Sequence, residues 1–372
     1  MDKVGIIGAG SLGTALAQIV AQNVEDVFLL SRREELAETI NSTHINSEYY
    51  PNVKLEENII ATTDYNDLKD CGIIFLSVPS SAFRSTLSTL KDYIDSDAIL
   101  VTTAKGIEYP SLKTMGKLIE EYFDEDYVAL SGPNFASEIV LNLETISNLA
   151  SRNRENAVKV KEVLSTPKFK LKIIDDVDGL EICGIIKNIN AIANGICEGM
   201  NINENARYGI LTKGFEETKK IVESIGGDAS TAEEYCGFGD LVLTSTSSES
   251  RNHTLGMLYG QRIIVDEKAS GIVFEGKNSI MAIKDICRNT NTESVIVDFV
   301  YDVIVKQYTL DLGDITVVNE ELVPRIHQLM ENPEKAEKFV SGLTLKEMVE
   351  IVVGIGMFGG ETRFNLPGSV GN

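Results

Sequence analysis

Short apolar runs and amphipathic stretches alternate through the first half of the chain. Runs of β-branched and aliphatic residues fall at 3–7, 27–30, 59–61, 73–78, 99–103 and 127–130, and one more at 169–174. Each is short enough for a strand and is bounded by glycine, proline or polar residues. Between them, 13–22 and 33–41 repeat their apolar positions with helical spacing. Strands that alternate with helices predict a doubly wound parallel sheet covered on both faces. From residue 180 the strand pattern stops. Helical periodicity takes over at 180–200, 206–225, 230–235, 279–288 and 293–306. The change of texture predicts an α/β domain over 1–178 and an all-helical domain over 179–372. The chain continues through 320–328, 333–340 and 344–353 into a glycine-rich end.

Composition narrows the class of molecule. The chain has 372 residues, 43% of them hydrophobic, and a formal net charge of −22. That is enough apolar matter for two cores. So acidic a surface repels phosphate backbones and anionic lipid, so neither nucleic acid nor a membrane surface is the expected partner. An anionic substrate would need a locally basic pocket. Five cysteines without a C-x-x-C pair, and three dispersed histidines, predict free thiols and no metal site. The chain enters its first strand at once, with no signal-peptide pattern and no run of apolar residues long enough to span a bilayer. The expected setting is the cytoplasm.

The first candidate chemistry is glycine. Gly8, Gly10 and Gly13 follow the first strand and open a helix near Ser11. This is the G-x-G-x-x-G spacing of a dinucleotide site in a Rossmann domain. The first glycine makes the turn, the second admits the pyrophosphate to the backbone, and the third lets helix and strand pack closely. Free N–H groups at the helix start would face the phosphates. The second strand ends in Ser31-Arg32-Arg33, where NAD-selective sites carry a carboxylate. A hydroxyl and two guanidiniums suit a 2′-phosphate, which predicts NADP(H). If Arg32 instead stacks on adenine and Arg33 is solvated, NAD remains usable. The backbone beside Pro79, at the end of another strand, is expected to line the same crevice.

Four further segments carry polar residues where chemistry would need them. Lys105 follows the strand at 99–103. Ser131-Gly132-Pro133-Asn134-Phe135-Ala136 forms a loop after the next strand. Lys187 lies in an otherwise apolar helix. Asp240 follows a glycine-rich turn, with Thr244 one helical turn on and Ser250-Arg251-Asn252 beyond. Taken singly, Lys105 and Arg251 read as surface cations, Asp240 as a helix cap, and Lys187 as a side chain either snorkelling to solvent or held in a pocket.

Together these segments resemble the NAD(P)-dependent sn-glycerol-3-phosphate dehydrogenase family. The matching stretches are 8–17, 103–106, 131–138, 181–188, 205–214 and 237–252, in colinear order from about residue 3 to 310. The resemblance implies reversible reduction of dihydroxyacetone phosphate to sn-glycerol 3-phosphate, a supply of glycerol phosphate for lipid or polymer precursors. It implies that Lys187 is the general acid, with Lys105 beside it lowering its pKa, Asp240 orienting it and Thr244 bonded in the same cluster. Lys105, Gly132, Ser250, Arg251 and Asn252 would hold the substrate and its phosphate. Ser11, Leu12, Lys105, Ala136, Arg251, Glu275 and Lys277 would border the cofactor. A homodimer is expected. Leu12 stands where the family usually has an aromatic residue, Ser245 replaces a common cysteine, and Lys213 replaces an arginine. The tail from about 320 to 372 has no counterpart in the family pattern. Two other readings are a reductase of a different phosphorylated ketone and a non-catalytic NADP sensor. The intact trio of Lys105, Lys187 and Asp240 argues against the sensor.

Overall fold

A computed structural model describes residues 3–95, 97–124, 126–263 and 273–306. The tail beyond 306 lies outside the described residues.

Strands β1 (Lys3–Ile7), β2 (Asp26–Leu30), β3 (Ile59–Thr62), β4 (Ile73–Leu76), β5 (Ile99–Thr102), β8 (Val128–Ser131), β9 (Thr145–Ala150) and β10 (Phe169–Ile174) form one sheet, and β6 (Ile107–Glu108) and β7 (Lys113–Thr114) a small hairpin. The sheet order is β10-β9-β8-β5-β4-β1-β2-β3. Six strands, β3 to β8 in this order, run parallel, because helices carry the chain back after each. Helices α1 (Ser11–Val20), α2 (Glu34–Thr43), α3 (Ser80–Leu90), α4 (Met115–Ile119), α5 (Ala136–Val140) and α6 (Arg154–Leu164) belong to this part. Strands β4, β5 and β8 are buried at every position, as a sheet covered on both faces requires.

The expected doubly wound sheet is present, and it is mostly rather than wholly parallel. Strand β9 runs antiparallel to β8, and β10 runs with β9. The chain leaves β8 at Ser131 and, after a loop and α5, re-enters the sheet from the same end at Thr145. Strand β9 has no clear alternation, because Ser147 and Asn148 are both fully buried inside it.

Beyond β10 the structure is helical. It comprises α7 (Val177–Gly199), α8 (Glu204–Ser224), α9 (Asp240–Thr246), α10 (Arg251–Gly260), α11 (Glu275–Asn289) and α12 (Val295–Ile304). Helix α7 is apolar nearly all round and is buried along almost its whole length, so it forms the axis on which the others pack. Asp176 starts it by accepting the Gly179 N–H at 2.9 Å. Glu181, fully enclosed, anchors it to the sheet half. Its carboxylate accepts from Thr114 Oγ1, the Gly116 N–H and the Tyr127 hydroxyl, each at 2.8 Å.

Helix α10 meets α7 backbone to backbone. A Cβ at Gly195 would reach His253 O at 2.1 Å, and one at Gly256 would reach Ile192 O at 2.2 Å. Only glycine permits that approach. It brings the N-terminal turn of α10 alongside the helix that carries Lys187.

Candidate active site

A cleft of about 740 Å³ opens at the carboxyl ends of β1, β2, β4 and β5 and continues between the sheet and the helices. Its floor at one end is the glycine turn. Gly8 has φ +110, and a Cβ there would sit 2.5 Å from Ser77 O, so no side chain fits. A Cβ at Gly13 would strike Gly8 O at 1.9 Å, which makes Gly13 the packing contact between α1 and β1. Gly10 meets nothing closer than the Tyr49 hydroxyl at 4.0 Å. A phosphate can therefore approach its backbone. No side chain caps α1, so the N–H groups of its first turn remain available beside Ser11 and Leu12. This cradle fits a dinucleotide pyrophosphate.

At the other end of the cleft stands a charged cluster. Lys187 Nζ donates to Asp240 Oδ1 at 2.6 Å and to Thr244 Oγ1 at 2.9 Å. Thr244 in turn donates to Asp240 Oδ1 at 3.0 Å. Lys105 Nζ donates to Asp240 Oδ2 at 2.8 Å, to Asn134 Oδ1 at 3.0 Å and to the Gly132 carbonyl at 3.1 Å. An ammonium has three hydrogens. All three of Lys105 are committed within the protein, whereas Lys187, on the cleft wall, keeps one to give. Burial is the main force lowering the Lys187 pKa, to about 7. Lys105 adds to the fall and Asp240 opposes it. Burial pushes the Asp240 carboxyl up, but the two ammoniums outweigh it and hold it below the usual carboxylate range.

The expected site residues separate into three groups. Gly8, Gly10, Ser11, Leu12, Ser31, Arg32, Arg33, Pro79, Lys105, Ala136, Lys187, Thr244, Ser250, Arg251, Asn252 and Glu275 all line the cleft. Gly13, Gly132 and Asp240 stand behind its wall, and Gly132 offers only its carbonyl to Lys105. Lys277, in the first turn of α11, is not among the residues that line the cleft, and its Nζ donates to the Tyr259 hydroxyl at 3.3 Å.

Several lining residues have their polar groups already engaged. Arg33 pairs with Glu48, and the Ser31 hydroxyl accepts the Arg33 N–H at 3.1 Å, while Arg32 meets no carboxylate among the described residues. The Ser250 hydroxyl caps α10 by accepting the His253 N–H at 3.2 Å. Asn252 donates to Asn188 Oδ1 at 3.0 Å and accepts from the Gly276 N–H at 3.2 Å, which makes it a tie between α7, α10 and α11. Glu275 accepts the Ser80 N–H at 3.1 Å and the Ser80 hydroxyl at 2.5 Å, bridging from α11 to the start of α3. Arg251, exposed at the first position of α10, has no ion pair among the described residues and lines the cleft.

Sequence reasoning passed over Asn134 and Asn188. Both line the cleft next to the lysines. Their only signal was adjacency, Asn134 within the Gly-Pro loop and Asn188 directly after Lys187. Among the described residues no group of His, Cys, Asp and Glu could hold a metal ion, and no helix is long and apolar enough to cross a membrane. All five cysteines are free and buried.

Comparison with known proteins agrees across both halves. Residues 3–157 match the model of the NAD-dependent glycerol-3-phosphate dehydrogenase N-terminus, and 176–312 that of its C-terminus. A glycerol-3-phosphate dehydrogenase [NAD(P)+] of Methanothermobacter thermautotrophicus is 38% identical over 300 residues, 80% of this chain and 92% of that one. One from Caulobacter vibrioides is 34% identical over 87% of this chain and 98% of its own. The crystal structure of glycerol-3-phosphate dehydrogenase from Coxiella burnetii superposes with a TM-score of 0.78 at 30% identity, covering 82% of this chain and 95% of that one.

Proposed function

The chain belongs to the NAD-dependent glycerol-3-phosphate dehydrogenase family, and from that membership we propose that it interconverts dihydroxyacetone phosphate and sn-glycerol 3-phosphate, with NADP(H) the preferred cofactor. The observation that carries the reading is Asp240 held between two ammoniums, one of which, Lys187, is buried on the cleft wall.

The glycine turn, the start of α1 and Arg32 would hold the dinucleotide, which when bound supplies or accepts the hydride. Reduction of a ketone leaves negative charge on its oxygen. The uncommitted hydrogen of Lys187 is the donor placed to receive that oxygen and pass it a proton. Asp240 and Thr244 fix the other two hydrogens, so the donor cannot rotate away. Lys105, fully bonded, sets the charge of the cluster and does not act as the acid. Arg251 supplies the locally basic element that an acidic protein needs for a phosphorylated substrate, and a guanidinium matches phosphate geometry. Arg32 supports NADP(H). The pairing of Arg33 with Glu48 tempers that preference and leaves NAD(H) usable.

The helical part leaves Tyr208 and Phe238 more than half exposed, which supports the homodimer. Free buried thiols suit a reducing compartment such as the cytoplasm.

The test is oxidation of NADPH and of NADH followed with dihydroxyacetone phosphate and with a panel of longer phosphoketones. Turnover with the triose phosphate is the expected result. Turnover only with other phosphoketones would move the substrate, and NADPH binding with no turnover on any of them would make the chain a sensor.

A further inference from the structure

The Lys105–Asp240 ion pair joins two segments distant in sequence, and both rest on one strand, β9. Gly132, whose carbonyl holds Lys105, presses directly on that strand. A Cβ at 132 would come within 2.8 Å of Ser147 Cα. The next residue along, Asn148, lies opposite Ser131 in the ladder and is fully buried. Burying an amide is costly unless its groups are bonded. Asn148 Oδ1 accepts the backbone N–H of Cys236 at 2.8 Å, and Nδ2 donates to Glu234 Oε2 at 3.3 Å. Cys236 belongs to the π-turn Tyr235–Gly239, which runs straight into Asp240 and has no side-chain cap of its own. Glu234, at the head of that turn, is also paired with Lys172 of β10.

We propose that Asn148 is a positioning residue for the reaction. It fastens the turn that delivers Asp240 to the same strand that seats the loop holding Lys105. The two ends of the ion pair thus share one foundation, and the Asp240 carboxylate is held where it can reach Lys187 as well. This role rests on the reading of Lys187 as proton donor. It is also the reason a polar residue occupies the interior of β9, where an aliphatic one would give the strand a better pattern. An aliphatic side chain would leave the Cys236 N–H buried without a partner.

The experiment compares the full-length parent with Asn148→Ala and Asn148→Asp. Three quantities are read: NADPH affinity, kcat and KM with dihydroxyacetone phosphate, and the pH profile of Lys187 acylation measured by competitive labelling and mass spectrometry. The labelling needs no turnover. A parent that labels as expected but reduces no phosphoketone would therefore refute the functional reading without touching the role of Asn148. In N148A, NADPH affinity should stay within about twofold of the parent, and kcat should fall on the order of tenfold to 100-fold, the cost of a misplaced catalytic group. Asp240 is the group that favours the charged form of Lys187, so its displacement lowers the Lys187 midpoint. With the parent at about 7, a fall of about one unit raises the neutral fraction at pH 6 about fivefold. N148D keeps an acceptor for the Cys236 N–H but faces Glu234 Oε2 with an oxygen that bonds it only when protonated, so it should lie between N148A and the parent in both kcat and labelling. Should N148A not fold, Asn148→Ser, whose hydroxyl is too short to reach Cys236, takes its place with the same expected readings. An unchanged labelling profile in folded N148A, or in the serine variant that replaces it, would overturn the proposal. So would loss of NADPH binding in step with loss of activity in both variants, because Asn148 would then hold the fold and not Asp240.

Discussion

Lys187 and Asp240 meet at 2.6 Å inside a buried cluster, although they start from different helices. The contact makes the acid of the proposed reaction depend on its neighbour for both place and charge. Lys187→Ala should therefore abolish reduction of dihydroxyacetone phosphate. The loss should be at least about 100-fold, the usual scale for a positioned acid. NADPH titration by fluorescence should show affinity near that of the parent, since the glycine turn is untouched. Near-normal turnover would remove Lys187 from the mechanism.

The direction of the pH dependence follows from the Lys187 midpoint of about 7. Reduction needs the ammonium, so kcat for the ketone should hold below about pH 7 and fall above it, by about tenfold per unit. Oxidation of glycerol 3-phosphate needs the neutral amine and should rise through the same range. Asp240→Asn removes the charge that favours the ammonium. The reduction limb should then move to lower pH in steady-state profiles. A limb that stays in place would show that Asp240 exerts no electrostatic hold on the donor.

Cofactor choice offers a separate check. Glu48 occupies Arg33, and both side chains are about half exposed. Exposed pairs of this kind are worth about 0.2–1 kcal/mol. Glu48→Gln should free Arg33 for a 2′-phosphate and raise the ratio of kcat/KM for NADPH over NADH, by up to about fivefold. A ratio that falls would mean that Glu48 steers Arg33 toward the phosphate instead of competing with it.

Gly256→Ala should be severely destabilising. The new methyl group would lie 2.2 Å from Ile192 O in a helix pair that has no room to part. Overpacking costs about 1–3 kcal/mol, and backbone atoms cannot swing aside as a side chain can. Urea denaturation should show the midpoint falling. Gly209→Ala, at an exposed position with nothing within 4 Å, should be neutral or stabilising by comparison.

Glu181→Ala would strand three donors, on Thr114, Gly116 and Tyr127, in the interior. Unsatisfied buried groups cost about 1–3 kcal/mol each, partly relieved by relaxation. A loss of roughly 3 kcal/mol is expected in thermal or chemical melts. A variant as stable as the parent would show that water replaces the carboxylate.

What could be read from the residues alone divides along physical lines. The glycine turn was legible because close backbone approach excludes every other residue at Gly8 and Gly13. The parallel strands were legible because burial on both faces leaves unbroken apolar runs. Strand β9 was not, since Ser147 and Asn148 interrupt its pattern, and the partners of Asn148, at Glu234 and Cys236, lie far away in sequence. Helix α10 was hidden for the opposite reason. Its buried face is built on glycines, which carry no hydrophobic signal. Lys105 and Lys187 could be picked out, but their different standing could not. That difference depends on how many hydrogens of each are already spent. Lys277 was placed beside the cofactor on its nearness to Glu275, which says nothing of the contact its Nζ makes with the Tyr259 hydroxyl. Arg33 kept its place on the cleft, but its pairing with Glu48 depends on a loop that no local pattern reveals.

The Lys105–Asp240 bond has one partner on the sheet side of the cleft and the other on the helical side. It thus works as an interlock. Because β9 seats both ends, the carboxylate and its two ammoniums are held by the fold itself, and the proton donor stands ready whenever a ketone reaches the cleft.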